Sequence, residues 1–195
     1  MKTIAGFLIA GVVLILLGGC WLLSQHGGTV ALNEVVKQDW TDLDAQLQHR
    51  NDLIPDLVSA VKGYASDEED VFTGLADACG KLAAAVTPEA KAEADAKLTA
   101  GLGRLLALAG SHPELTADES FFHLRKELSD VERSIADARK NYNEHVELYN
   151  MCIGQFPGSF FAKGMGLLPR ERFEPPHAPA GEPGTAMPDG AETGE

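Results

Sequence analysis

From Phe121 to Cys152 one stripe of the chain recurs at alternating steps of three and four. It runs Phe121, Leu124, Leu128, Val131, Ile135, Ala138, Tyr142, His145, Tyr149 and Cys152. A strand repeats every two residues, so a three-four spacing held this long fits only a helix with one face against other helices. It reads as the seam of a bundle or coiled coil. Three further helical segments precede it, without strand-like alternation between them. The first, about Leu32–Tyr64, puts Val36, Trp40, Leu43, Leu47, Ile54, Leu57/Val58 and Val61 on one stripe. The second opens at Ser66 with Glu69 three residues on, a capping-box spacing, and runs to about Val86. The third opens on Thr87-Pro88, an N-cap followed by proline at the first helical position, and stops at Gly110. The fourth opens at Thr116, again with a glutamate three residues on, and ends near Gly154. Short joins between such segments predict an all-α, antiparallel four-helix bundle with long first and last helices.

The N-terminus is of another kind. Thr3 to Asn33 contains no Asp, Glu, Lys or Arg, and Ile4–Leu23 is almost wholly aliphatic and glycine. Twenty helical residues reach about 30 Å, the thickness of a bilayer's hydrocarbon core. Residues 1–26 therefore read as an N-terminal transmembrane helix, with Trp21 as an interfacial aromatic and Gly27-Gly28 as a flexible joint to the bundle. Leu17-Gly18-Gly19-Cys20 competes as a lipoprotein-processing box that would leave Cys20 lipidated. The apolar run continues through Trp21-Leu22-Leu23, which favours the uncleaved span. At the other end, residues 174–195 hold five prolines, four glycines and five acids with no Lys or Arg, a composition expected to stay disordered.

Charge and motifs narrow the function classes. A net charge of −13 repels phosphate backbones, so nucleic acid is not an expected partner. Cys20, Cys79 and Cys152 are dispersed and odd in number, which suits small core residues better than disulfides or zinc. The Glu-x-x-His pairs of di-iron bundles do not occur, nor do His-Glu-x-x-His, Gly-x-Ser-x-Gly or a phosphate-cradling loop. No catalytic residue, metal or cofactor is expected, and the chain reads as a non-enzyme.

Polar residues in the stripes stand out instead. Arg50, Asn51 and Asp52 fall between Leu47 and Ile54, beside a mid-helix proline, Pro55. They read either as a seam cluster fixing register or as a solvated face. Tyr142-Asn143 and Tyr149-Asn150 repeat at seven residues, as packed tyrosines bonded at the rim or as the wall of a peptide-binding groove. The segment 156–173 carries Phe156, Phe160, Phe161, Met165, Leu167, Leu168 and Phe173 with three bases, Lys163, Arg170 and Arg172, against one acid, Glu171. Phe160, Phe161, Lys163, Arg170 and Arg172 are thus candidate membrane-interface residues. Folding back over the end of the bundle is the alternative.

The run Arg50-Asn51-Asp52-Leu53-Ile54-Pro55-Asp56-Leu57-Val58, flanked by Trp40 and Lys62-Gly63-Tyr64, resembles the LemA family of bacterial membrane-anchored helical proteins. The resemblance continues through Leu102-Gly103-Arg104-Leu105, the turn His112-Pro113-Glu114-Leu115, and Glu132-Arg133-Ser134-Ile135-Ala136. It closes on Tyr142-Asn143, Tyr149-Asn150 and Phe156-Pro157, and so spans residues 30–166. The turn departs from the family's more usual Tyr-Pro-Asp-Leu-Lys. The resemblance implies a membrane-anchored helical protein of bacteria and brings no firmly assigned molecular activity. With the apolar N-terminus and the absence of a catalytic motif, the chain reads as a single-pass scaffold or adaptor of the bacterial membrane, with lipid around its span and a protein partner on its bundle. A lipid-binding or membrane-shaping bundle, or an enzymatic accessory, are the alternatives.

Overall fold

The computed structural model describes residues 2–65, 67–156 and 158–174, with side chains from Gly28 onward except that of Phe161. Every regular element among them is a helix: α1 Lys2–Lys62, α2 Glu69–Ala84, α3 Pro88–Gly110, α4 Pro113–Thr116, α5 Glu119–Gly154 and α6 Gly158–Met165. Among the described residues no helix is long and apolar enough to cross a membrane. The side chains of the predicted anchor, 1–26, the Ser66 cap and the tail beyond Glu174 lie outside them.

The long pair is α1 and α5, packed antiparallel from Thr29 of α1 onward, with the α2–α3 hairpin laid against α1. Cross-contacts fix the direction: Thr29 meets Cys152, Asp39 meets His145, and Arg50 meets Glu132. The stripes supply the core. Val36, Leu43, Leu47, Leu57 and Val61 of α1 and Phe121, Leu128, Val131, Ile135, Tyr142 and Tyr149 of α5 are all buried. Burying one such aliphatic or aromatic side chain stabilises the fold by about 1.5–3 kcal/mol.

Several expectations need correction. α1 runs straight through Gly27-Gly28 and through Pro55, so there is no break where a joint was expected. A helical glycine costs only about 1 kcal/mol, and α1 is held by packing over many turns. Thr116 does not cap the last long helix. It ends the single turn of α4, its hydroxyl donating to the Pro113 carbonyl, while the Asp118 carboxylate accepts from the Phe121 amide at 2.9 Å. At α2 the N-cap position is Glu68, with no side-chain bond. The Thr87 cap forms as expected, accepting from the Ala90 amide at 3.2 Å. The α5 seam drifts after Tyr142, so that Val146 and Ile153 are buried and His145 and Cys152 sit half-buried at its edge. An α-helix advances 3.6 residues per turn and cannot keep a strict seven-residue seam without supercoiling.

α6 turns back onto the end of α5. A Cβ at Gly158 would collide with the Cys152 carbonyl oxygen, so only glycine allows this approach. Gly166, at φ +66, then turns the chain into an extended strap, residues 167–174.

Candidate functional site

Two polar constellations emerge from this packing. The first is built on Arg50, which occupies a stripe position of α1 and is completely buried. Its guanidinium bonds the Asp95 carboxylate of α3, donates to Glu132 of α5 at 3.0 Å, and reaches the Thr99 hydroxyl of α3 at 3.3 Å. A buried charge is tolerable only when paired and hydrogen-bonded, and one planar fork here ties three helices together. Two buried polar atoms among the described residues lack a partner: Arg50 Nε and Asn51 Oδ1. Asn51 is half-buried, whereas Asp52 is exposed and accepts from Gln48. Pro55 is exposed too, its carbonyl accepting from the Ser59 hydroxyl. The Arg50–Asp52 cluster therefore divides, Arg50 entering the seam and Asp52 facing solvent. Cys79 of α2 is half-buried. Burial pushes its thiol up, with the Arg50 guanidinium pulling the other way.

The sequence carries a signal for Asp95 in the stripe of α3. On α3 the buried stripe runs Ala92, Asp95, Leu98, Leu102, Leu105 and Ala109, with Ala94 buried beside it and one acid among apolar residues. A lone acid on one stripe and a lone base on another are natural partners.

The second constellation is the contact between α5 and the strap. Tyr149 donates to the Leu168 carbonyl at 3.1 Å, and Tyr142 to the Glu171 carbonyl at 2.8 Å. Asn150 both donates to the Arg170 carbonyl and accepts from the Arg170 amide, each at 2.8 Å. Asn143 does the same for Phe173, at 3.2 and 2.7 Å. The register is arithmetic. Seven helical residues advance about 10.5 Å and three extended residues about 10 Å, so each Tyr-Asn pair meets the strap three residues from the last. The asparagine amide imitates a neighbouring strand, satisfying both backbone groups of one residue.

Phe173 closes the strap. It is buried with its ring 6.4 Å from Trp40, which itself sits 5.3 Å from Tyr142. Lys91, ion-paired to Asp44, lies over the Trp40 ring at 5.7 Å. Burial pushes the Tyr142 hydroxyl up to about 12, with Arg170 opposing and Glu171 adding to the shift. Beside the strap a cleft of about 490 Å³ is lined by Val36, Trp40, Pro88, Tyr142 and Pro169–Glu171. Two of the three basic residues of the segment have partners in the chain, Arg170 donating to Asn33 at 3.1 Å and Arg172 pairing with Glu147 and Glu174. Phe160 and Lys163 are exposed on α6, and the Phe161 side chain lies outside the described residues. The fold-back expected as an alternative thus accounts for Phe173, Arg170 and Arg172.

The LemA family model matches residues 39–184, three quarters of the chain, with both constellations inside it. The chain belongs to the LemA family. Magnetosome protein MamQ of Magnetospirillum gryphiswaldense is 23% identical over 187 residues, covering 83% of this chain and 68% of the relative. Magnetosome proteins MamQ 2 and MamQ 1 of Paramagnetospirillum magneticum are each 24% identical over 187 residues, with the same shares covered. For this LemA chain, then, the Arg50 network and the two Tyr-Asn pairs lie in the matched part, whereas Thr29 and Asn33 precede it.

Proposed function

We propose that this LemA protein is a single-pass, membrane-anchored scaffold or adaptor, held in a bacterial membrane by residues 1–26 and binding a protein through its bundle. The observation that carries this reading is the continuity of α1. The apolar stretch 4–23 passes into the bundle as one helix to Lys62, so a span and a binding domain would move as one lever. The polar groups of the interior support a binding role over a catalytic one, because Arg50 and the Tyr-Asn pairs are engaged in holding helices and strap together. The relatives are named for a structure, the magnetosome, and not for a reaction. Carried to this chain as a proposal, that favours organising an assembly.

The test is a tagged full chain expressed in bacteria, cross-linked in intact cells and purified from detergent extract. We expect sedimentation with membranes after alkaline carbonate washing, an unlipidated mass, and one or a few reproducible cross-linked proteins. Release by carbonate would remove the anchor. A lipidated mass starting at Cys20 would replace the span by a lipoprotein. Reproducible absence of any cross-linked protein would refute the adaptor role.

A further inference from the structure

We propose that the end of the bundle beside the anchor, formed by the α5–α6 turn and α6, rests on the bilayer surface as a second lipid contact. This rests on the anchored reading above. Position comes first. The α5 terminus is level with Thr29, whose hydroxyl lies 3.3 Å from Cys152 Sγ, and Gly158 holds the start of α6 against the Cys152 carbonyl. Thr29 stands six residues beyond Leu23, the end of the apolar run. At 1.5 Å per residue that is about 9 Å along the helix. The headgroup layer itself adds roughly 5–8 Å to each side of the hydrocarbon core. An inserted span therefore delivers α6 to the headgroups.

Its surface is the second argument. α6 buries Ala162, 4% exposed, and together with the residues flanking it leaves outward the groups that water solvates worst. Phe156 is 78% exposed, Phe160 72% and Leu168 75%, with Met151 of α5 half-exposed nearby and Lys163 among them. Aromatic rings beside a long basic side chain suit a boundary that is apolar below and charged above.

Charge is the third. From Leu148 to Arg170 there is no Asp or Glu, and from Thr3 to Asn33 there is none, in a chain holding 29 acids and a net charge of −13. The two acid-free stretches converge at this one end of the bundle. Anionic headgroups would repel carboxylates and attract Lys163, so the gap falls where a bilayer needs it.

The chain's two tryptophans allow one experiment to separate the anchor from the contact. Full-length protein is reconstituted in phosphatidylcholine–phosphatidylglycerol vesicles whose acyl chains are brominated near the glycerol end. Wild type reports Trp21. Trp21→Phe leaves Trp40, inside the bundle and 17 residues from Leu23, as an unquenched background. Adding Phe160→Trp to Trp21→Phe, and separately Phe156→Trp, places an indole at the proposed contact. Both sites are mostly exposed, so either variant should fold. We expect bromine to quench wild type and each added indole, the latter roughly twofold, as for a ring at headgroup depth. Quenched wild type with neither added indole quenched would overturn the lipid contact and leave the anchor standing. Unquenched wild type would overturn both. A blue-shifted but unquenched indole would assign the face to a second copy or another protein and overturn the proposal.

Discussion

Replacing Arg50 with alanine is the sharpest test of how this bundle is held together. The side chain is completely buried and bonds three groups on two other helices. Its loss strands Asp95, whose side chain is only 12% exposed, whereas Glu132 at 37% can turn toward water. Breaking a buried pair from one side costs about 3–5 kcal/mol. For a domain of this size each kcal/mol lowers the melting temperature by about 2–4 °C, so Arg50→Ala should melt roughly 6–20 °C below wild type. Asp95→Asn should be milder, since the guanidinium keeps Glu132 and Thr99, and loses only one charge-assisted bond worth about 1.5–3 kcal/mol. Glu132→Gln, at the wet end of the cluster, should cost about 1 kcal/mol or less. Arg50→Met combined with Asp95→Asn should cost less than the two singles added, because the first change removes the reason the second is harmful. Thermal circular dichroism of the full chain in one detergent, with Arg50→Met alone as the other single of the cycle, gives these values. If Arg50→Ala melts within about 2 °C of wild type, or the double variant is simply additive, the network does not lock the helices and the argument fails.

Other perturbations read the strap and α6. Asn143→Ala and Asn150→Ala each remove two bonds to the strap, so amide exchange at Phe173 and Arg170 respectively should speed at least tenfold, corresponding to about 1.4 kcal/mol or more. Exchange within α1 should be unchanged in both, and a matching acceleration there would show the strap to be part of the global unit. Gly158→Ala puts a methyl into the Cys152 carbonyl and should unseat α6, read as faster tryptic cleavage after Lys163; unaltered cleavage would contradict the close approach. The Tyr142 hydroxyl is held protonated to about pH 12 in the folded chain, against an ordinary value near 10. Its contribution to stability is therefore complete below pH 10 and is lost as pH rises toward 12, because the unfolded chain releases the proton first. Ultraviolet titration should show a late phenolate step that Tyr142→Phe abolishes, and an unchanged titration would refute it.

What the sequence determined is the local part of this protein. The three-four stripes of α1 and α5, the Thr87-Pro88 start of α3 and the all-helical class depend on neighbours within a turn or two and were legible, whereas the short α4 and α6 and the unbroken run of α1 through Gly27-Gly28 were not. The stripe also pointed to Arg50 as a polar residue in an apolar register, though not to its partners. Asp95 and Glu132 lie 45 and 82 residues away, and only the packing of three helices brings their carboxylates to one guanidinium. The strap was least legible. Its backbone bonds go to side chains 19–30 residues earlier, so residues 167–174 show no period of their own. The Tyr-Asn repeat announced a regular partner, but whether that partner was rim, groove or the chain itself depended on where Gly166 turned. Helical periodicity is written in each segment by its own backbone geometry; which polar groups meet across segments is decided only when the stripes close on one another.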